Sequence, residues 1–412
     1  MKMKKILVAM IAPGAMGSAY ATDGYFSDGF GMKSKGMAGV GIALPQDALA
    51  AANNPAGMVM VGNRVDLGAD FFEPSRSTQI SGLTGPAAVY NGDYSGNSRP
   101  LFVIPEFGYN HMLDTNKSLG VSVYGNGGMN TAYANSPFGP NAGINLSQLF
   151  IAPTYAMKIN DSNEIGISLN LVYQMFSANG LQNFAPMSSN PSALTNNGTD
   201  TSTGVGARIG WMGQVSQAVT LGATYEPKTH MSNFSKYSGL FADGGSFDIP
   251  ASYGVGVAVK ATNSTTVSAD YKVIKYGDVP AIANTATQGG PLGAANGAGF
   301  GWQDVKVIKL GISQQVNDLW TVRAGYSHNT QPIPASQAQF NILAPGVVQD
   351  HLTLGMTYDV TKTNELTVAY MHAFQNSVYG ANTYQNPTQT GLSNINLKMY
   401  EDSLGIAYSW KL

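Results

Sequence analysis

The sequence predicts an all-β protein: a 14-stranded antiparallel transmembrane β-barrel with an N-terminal hatch, a plug that lies inside the lumen. Three observations predict it. Only 11% of the 412 residues are charged, whereas soluble domains carry about 25%. No apolar stretch reaches the roughly 18 to 20 residues that a membrane-spanning helix requires. Instead, stretches of about ten residues alternate apolar with small or polar residues, which is typical of strands that cross an outer membrane.

Residues 1–21 have the pattern of a secretory signal peptide. Three of the first five residues are lysines, an apolar stretch follows, and Ala19-Tyr20-Ala21 is a small-x-small cleavage site. We expect cleavage after Ala21, so that the mature chain begins at Thr22. The alternative, an N-terminal membrane anchor, is disfavoured because the apolar stretch is too short to span. The chain has no cysteine, so disulfides and thiol chemistry are excluded.

The net charge of the chain indicates which classes of partner it binds. The formal net charge is −2, and loss of the signal peptide removes three lysines and no acids. An acidic balance gives no support for a nucleic-acid partner. We expect outer-membrane lipids and lipopolysaccharide around a monomeric barrel located in the bacterial outer membrane.

The barrel is predicted to occupy residues 64–412. Between Glu164 and Ser177 apolar residues occupy one face and small or polar residues the other, and a period of two indicates a strand. Such an apolar face points to lipid in an outer-membrane barrel and to the core in a soluble sandwich. Fourteen such segments can be placed, at 64–73, 100–110, 118–126, 147–157, 164–176, 204–215, 218–227, 251–260, 264–276, 304–314, 319–328, 350–360, 365–374 and 400–412.

The connections between these segments favour the membrane barrel. They alternate between long and short along the chain, and the short ones have turn sequences such as Asn317-Asp318. Outer-membrane barrels combine long extracellular loops with short periplasmic turns, whereas a soluble sandwich has no reason to sort its connections in this way. Aromatic residues near the segment ends are expected to form girdles at the membrane surfaces: Phe71, Phe72, Phe107, Tyr109, Tyr225, Tyr276, Trp320, Tyr358, Phe374 and Trp410.

Residues 22–63 do not follow the strand pattern. They are rich in glycine and alanine, with a short helix expected around 46–52. A lumen of fourteen strands is wide enough to need filling, because about eight strands are already filled by side chains. We therefore predict a hatch folded into the barrel. A disordered periplasmic extension is the alternative.

Enzymatic chemistry has no support. The five histidines, at positions 111, 230, 328, 351 and 372, have no paired spacing for a metal. Ser327 and His328 are neighbours in sequence but point to opposite faces of a strand, so they do not form a nucleophile–base pair. We expect no catalytic residue, no metal and no cofactor.

Three groups of motifs then resemble a known family, the FadL family of outer-membrane transporters for long-chain fatty acids and other hydrophobic compounds. The first group lies in the hatch, the second around the tenth and eleventh strands, and the third before the twelfth. They are Gly36-Met37-Ala38-Gly39, Asp47-Ala48 and Asn54-Pro55-Ala56; Trp302-Gln303-Asp304, residues 320–326 and Pro332-Ile333-Pro334; and residues 342–351.

The resemblance implies passive transport of a hydrophobic substrate. The ligand would enter an extracellular groove, pass an internal pocket, and leave sideways into the bilayer through a gap made by a kinked third strand. An apolar molecule gains about 0.8 kcal/mol per CH₂ on leaving water, which favours an exit into lipid.

Candidate site residues follow from strand parity and from the resemblance. The lumen-facing cations Arg208, Lys272, Lys309 and Arg323 are candidates to bind a substrate carboxylate. Alternatively, they pair with the lumen-facing acids, Asp66, Asp70, Glu106 and Asp270, or with the hatch backbone. Fatty-acid members of the family carry basic residues on the strand that matches 164–176 and just before Trp302. Residues 165–185 and 278–303 here contain none, so a neutral hydrocarbon competes with a fatty acid as substrate.

Two backbone motifs complete the candidates. Gly125, Gly127 and Gly128 end the third strand, where they indicate either a lateral gate or the start of a Gly-rich loop. Asn54-Pro55-Ala56 is expected to act as a turn that shapes the hatch. We therefore predict passive uptake of hydrophobic molecules, with long-chain fatty acids first. The alternatives are aromatic or alkane hydrocarbons and, in a different class, a general porin or structural barrel.

Overall fold

The computed structural model describes residues 22–381 and 394–412. The predicted signal peptide lies outside the described residues. The described chain forms one sheet of fourteen long antiparallel strands, each paired with its neighbour in sequence. β1 also pairs with β14, from Arg64–Lys411 to Ser81–Asn394, and this closes the barrel. The predicted fold class is confirmed.

The strands are β1 (Arg64–Ser81), β2 (Phe102–Asp114), β3 (Lys117–Ala132), β4 (Gly143–Asn160), β5 (Asn163–Asn179), β6 (Asp200–Gln214), β7 (Val219–Glu226), β8 (Ser252–Lys260), β9 (Thr265–Ile274), β10 (Val305–Gln315), β11 (Trp320–Asn329), β12 (Asp350–Asp359), β13 (Asn364–Ala381) and β14 (Asn394–Lys411). In the described parts of the loops there are three short strands, at Gly92–Ser95, Asn135–Ser136 and Gly139–Pro140.

The helices are all short. In the hatch they are α1 (Met32–Lys35) and the 3₁₀ turns Ala50–Ala52 and Pro55–Met60. In the loops they are Gly85–Tyr90, Gln182–Met187, Pro191–Ala193, Ser235–Tyr237, Ala242–Gly245, Tyr276–Asp278, Pro280–Ala283, Ala335–Gln337 and Phe340–Ile342. Within the described ranges, no helix is long and apolar enough to cross a membrane.

The apolar face of the strands points outward. On β5, Ile167 is 51% exposed on the outer surface, whereas the adjacent Ser168 is completely buried. The lumen is filled by the hatch, of which residues 22–42 are buried throughout. The bilayer therefore contacts the apolar face, and the small and polar face contacts the hatch.

Several strands extend further than their alternation predicts. β1 runs to Ser81 instead of residue 73, and β13 runs to Ala381 instead of residue 374. In β1 the outward positions beyond Phe72 are Glu73, Ser75 and Ser77. The outward apolar band of such a barrel is limited to the height of the bilayer, so the period-two pattern of an apolar outer face stops before the strand does.

Two residues of the expected aromatic girdle lie inside the barrel. Phe71 is 41% exposed on the outer wall, but its neighbour Phe72 is completely buried. Tyr276 is also completely buried. Placing Phe72 and Tyr276 in the girdle was wrong, because position near a strand end does not determine which face a side chain takes.

Candidate functional site

The hatch is held to the wall by carboxylates that accept its backbone N–H groups. Asp270 on β9 accepts from Gly41 at 2.8 Å and from Ile42 at 3.0 Å. Asp66 on β1 accepts from Ala48 at 2.8 Å. Hydrogen bonds to charged groups contribute about 1.5–3 kcal/mol each. The lumen-facing acids thus position the central part of the hatch.

Buried ion pairs add to this attachment. The Lys33 ammonium lies 2.5 Å from the Glu365 carboxylate of β13, and Lys35 is paired with Asp70 of β1. Arg64 of β1 lies 2.7 Å from Asp66 of the same strand and donates to the Gln46 carbonyl of the hatch at 3.2 Å. Breaking such a pair leaves an uncompensated buried charge, which makes separation of α1 from the wall unfavourable.

Asn54-Pro55-Ala56 contacts the wall on the opposite side of the lumen. The Asn54 amide donates to the carbonyls of Ile42 at 2.7 Å and Trp211 at 3.0 Å. The wall has no side chains at this point, since both of its residues are glycines. A Cβ atom at Gly210 would lie 1.9 Å from Asn54 Oδ1, and one at Gly166 would lie 2.3 Å from the Pro55 carbonyl carbon. The motif therefore sits where two glycines allow close approach.

The leading segment, defined as residues 22–30, pairs with β3 at Gly127. β3 continues to Ala132, so Gly125, Gly127 and Gly128 lie within the strand and do not begin a loop. Ser27 N–H donates to the Asn126 carbonyl at 2.9 Å, and Gly128 N–H donates to the Tyr25 carbonyl at 2.9 Å. A Cβ atom at Gly127 would lie 2.0 Å from the Tyr25 oxygen. Glycine is required at position 127 because the leading segment packs directly on the backbone there.

Tyr276 binds the leading segment through hydrogen bonds of its hydroxyl group. Its hydroxyl donates to the Asp23 carbonyl at 2.6 Å and accepts from the N–H groups of Tyr25 and Phe26 at 3.1 and 3.2 Å. Burial raises the pKa of the Tyr276 hydroxyl well above its ordinary value, so the group stays protonated and keeps its donor. The segment is therefore wrapped around one fixed hydroxyl.

β3 separates from β2 at its extracellular end. The two strands pair from Asp114–Lys117 to Phe107–Val123, and within the described residues this ladder ends there. Beyond Val123 β3 continues to pair with β4, with a bulge between Gly125 and Gly127. A gap in the β2–β3 ladder results, and the leading segment lies across its inner side.

Arg76 closes the upper end of this gap. This fully buried residue of β1 donates to the carbonyl of Asn130 at 2.9 Å and to that of Arg99 at 2.9 Å. It also donates to the Asn97 side chain at 3.3 Å. Arg76 is not among the candidates predicted from the sequence, because it lies in the part of β1 that continues beyond the predicted strand. The fully buried guanidinium ties β1 to the upper part of β3 across the end of β2.

An apolar pocket lies among the extracellular loops. Its cavity volume is about 50 Å³. None of the side chains that line it is charged or polar. They are Ile144, Phe176, Leu181, Phe184, Leu240, Phe241, Ala281, Leu292, Ala298, Phe300, Phe340 and Leu343, together with Gly299.

A chain of aromatic contacts connects this pocket to the leading segment. Phe241 of the pocket lies 5.0 Å, centroid to centroid, from Phe247, and Phe247 lies 6.0 Å from Tyr25. On the other side Phe300 lies 6.4 Å from Trp302, which is 6.1 Å from Tyr25. An apolar path therefore runs from the loops to the residues that pack on the β3 bulge.

Three of the four candidate cations meet at one small cavity. Arg208, Lys272 and Lys309 line a space of about 30 Å³ between hatch and wall. Arg208 lies 2.5 Å from the Glu226 carboxylate. Lys309 lies 3.2 Å from the Asp23 carboxylate. Lys272 instead places its ammonium 5.2 Å from the centre of the Phe26 ring, an arrangement that suits a cation–π interaction.

The fourth cation lies elsewhere. Arg323 donates to Gln46 Oε1 at 3.0 Å and to Thr357 Oγ1 at 2.7 Å. Its partners are thus hatch and wall groups. Among the candidate cations, Lys272 is the one whose described contact is an aromatic face.

Two other features lie outside this apolar path. A cavity of about 510 Å³ lies on the bilayer-facing wall of β4–β7, so it belongs to the lipid surface. Ser327 Oγ lies 3.2 Å from His351 Nδ1, a pairing that the sequence analysis did not foresee because the two residues lie on different strands. Both side chains are fully buried.

Fold and site together define a class: a hatch-plugged, fourteen-stranded channel of the outer membrane. The family described as outer membrane protein transport protein (OMPP1/FadL/TodX) matches residues 8–409. The chain therefore belongs to this family, as the sequence motifs suggested. It is a transport protein of the bacterial outer membrane and not an enzyme.

Individual relatives are distant in sequence. The chain is 23% identical to the long-chain fatty acid transport protein of Escherichia coli (strain K12) over 416 residues, 89% of this chain and 90% of the relative. It is similar in structure to a Pseudomonas aeruginosa FadL homologue, with a TM-score of 0.71, 16% identity and coverage of 94% and 99%. The P. putida toluene transporter TodX has a TM-score of 0.66, 19% identity and coverage of 93% and 99%. These structural likenesses establish the fold alone.

Proposed function

We propose that this chain takes up hydrophobic molecules that bind in the extracellular pocket and leave through the β2–β3 gap into the bilayer. The uncharged lining of the pocket is the observation that carries the proposal. A substrate body gains about 25 cal/mol per Å² of apolar area buried there, while a carboxylate meets no cation in the lining. The pocket geometry therefore favours a neutral hydrophobic compound, such as an aromatic hydrocarbon or an alkane.

Three observations support the exit. The β2–β3 ladder stops at Phe107–Val123, the aromatic chain ends at Tyr25, and Tyr25 itself is hydrogen-bonded to the β3 bulge. Movement of the leading segment away from the bulge would join the pocket to the gap. Gly125, Gly127 and Gly128 serve in this proposal as the flexible edge of the opening.

A long-chain fatty acid is the second candidate, and Lys272 favours it. This ammonium faces the cavity between hatch and wall and lies against the Phe26 ring. A carboxylate that reached this cavity would replace a cation–π contact with a charge-assisted hydrogen bond. Arg208, Lys309 and Arg323 are less available, because hatch and wall groups already bind them.

Competition between a long-chain carboxylate and its methyl ester tests the two candidates. With the purified protein and a fluorescent apolar probe, equal displacement by acid and ester is expected if apolar contacts alone bind the substrate. If the acid displaces the probe at least tenfold better than the ester, and the Lys272→Met variant loses this preference, the result would overturn the neutral substrate in favour of the fatty acid. Displacement by neither compound would contradict transport of both classes.

Processing and surroundings complete the proposal. Residues 1–21 are removed during export, the mature chain begins at Thr22, and the barrel works as a monomer within lipopolysaccharide and phospholipid. The Ala19-Tyr20-Ala21 site supports the cleavage position.

A further inference from the structure

A buried acidic region surrounds the start of the hatch. Asp23, Asp28 and Glu401 are all buried, and within the described residues neither Glu401 oxygen has a hydrogen-bond partner. Lys309 is ion-paired with Asp23 at 3.2 Å. Arg76 lies opposite Met399, two residues from Glu401 along β14, but its guanidinium is hydrogen-bonded to other groups. Since unpaired buried carboxylates are strongly unfavourable, the region is short of positive charge.

The strand register places these groups at one level of the lumen. Lys309 on β10 pairs with Ser327 on β11, Ser327 with His351 on β12, His351 with Ala373 on β13, and Ala373 with Glu401 on β14. Ala373 contributes only a methyl group to this row. The row therefore offers Glu401 no hydrogen-bond donor from its neighbour on β13.

Thr22 lies against the same part of the wall. The side-chain amide of Asn329, two residues along β11 from Ser327, donates to the Thr22 carbonyl at 2.7 Å. The Oδ1 atom of the same amide is buried and has no hydrogen-bond partner among the described residues. Thr22 is itself fully buried, and the next residue, Asp23, is paired with Lys309, which lies in the same row as Glu401. An acceptor and a carboxylate thus lie near Thr22 without donors.

We propose that this acidic region binds the α-ammonium group that cleavage after Ala21 creates on Thr22, with Glu401 as its counter-ion and Asn329 Oδ1 as a further acceptor. The inference rests on the proposed cleavage site, and not on the identity of the transported compound. The bound ammonium balances one of the three carboxylates. It also fixes the leading segment three residues before Tyr25, where that segment meets the β3 bulge. Correct processing therefore completes the packing of the hatch.

The α-amine itself reports on this site. Protein purified from outer membranes is first weighed by mass spectrometry, which is expected to show a chain that begins at Thr22. It is then treated briefly with acetic anhydride at pH 7, and acetylation of the N-terminal peptide is measured. We expect the native α-amine to react at least tenfold more slowly than in the denatured chain, because a paired ammonium is neither accessible nor deprotonated.

Variants then identify the counter-ion. Glu401→Gln is expected to speed acetylation at least fivefold. Asp402→Asn is the matched control on the same strand, where the carboxylate accepts from Tyr370 on the outer wall at 2.6 Å, and it is expected to leave the rate unchanged. Equal rates in the two variants would overturn the proposal, and a small external cation or a protonated Glu401 would then explain the acidic region.

A second measurement covers the case in which Glu401→Gln folds poorly. A glycine inserted before Thr22 moves the ammonium by up to about 3.6 Å while keeping every wall residue. Hydrogen exchange of residues 25–31 is expected to rise with the insertion and with Glu401→Gln, and to rise no further in the double variant, because both remove one interaction. Additive effects, no effect of the insertion, or a chain that begins elsewhere than Thr22 would each overturn the proposal.

Discussion

Replacement of Gly127 by alanine tests how the leading segment blocks the β2–β3 gap. The added Cβ atom would lie 2.0 Å from the Tyr25 carbonyl oxygen and 3.0 Å from its carbon. Neither neighbour is the flexible end of a side chain, since both belong to the backbone. The leading segment must therefore withdraw from the bulge.

The cost follows from the bonds that this withdrawal breaks. Ser27 N–H to the Asn126 carbonyl and Gly128 N–H to the Tyr25 carbonyl, both 2.9 Å long, would be lost. Each bond contributes about 1 kcal/mol net to the packed state. Loss of both bonds in the variant therefore shifts the equilibrium towards the withdrawn state by roughly 2 kcal/mol, which raises the population of that state by a factor of about 30. The hydrogen bonds of Tyr276 to the segment stay in place.

Hydrogen exchange and uptake measure the outcome. In the Gly127→Ala variant the amides of Ser27 and Gly128, which donate across this contact, are expected to exchange about 30-fold faster, and a neutral hydrophobic probe is expected to enter lipid vesicles faster. Gly289→Ala is the matched control, because a Cβ atom there meets nothing within 4 Å. Unchanged exchange in Gly127→Ala would refute the contact, and faster exchange with unchanged uptake would refute its role in closing the gap.

The remaining predictions concern the frame of the gap, the hatch motif and the substrate. Arg76→Met removes hydrogen bonds worth about 3 kcal/mol together, so the amides of residues 128–132 are expected to exchange roughly a hundredfold faster; protection equal to wild type would contradict the role of Arg76. Gly210→Ala displaces Asn54 from the wall and is expected to lower the apparent thermal unfolding midpoint at a fixed scan rate, while Gly289→Ala leaves it unchanged; equal midpoints would remove the motif from the attachment. Lys272→Met is expected to leave uptake of a neutral hydrocarbon within twofold of wild type; a larger loss would show that neutral substrates also depend on this ammonium.

Local sequence patterns predict the barrel well, because every membrane-spanning strand must have an apolar face in contact with lipid. Strand parity also places Arg208, Lys272 and Lys309 in the lumen correctly. It says nothing of the partners of Lys309 and Lys272, since Asp23 and Phe26 come from a hatch without periodicity. Strand parity also gives the correct, inward face for Phe72. The position of Phe72 near the predicted end of β1 suggested the outer face instead, and that was wrong.

Neither the extracellular pocket nor the role of Arg76 at the end of the β2–β3 gap could be predicted from the sequence. The pocket is assembled from four separate loop regions and the ends of β4 and β5, and no local pattern indicates that these converge. Arg76 follows Phe72 on β1, beyond the point where the outward positions turn polar. Its only signal in the sequence is that it continues the inward parity of Asp66 and Asp70.

Single-channel conductance tests the central claim most directly, namely that a hatch-closed barrel moves hydrophobic molecules without an aqueous pore. In planar bilayers the full mature chain is expected to give no steady ion current, and a variant that lacks residues 22–63 is expected to give large ones. Large steady currents from the full chain would contradict the claim and would make the protein a porin.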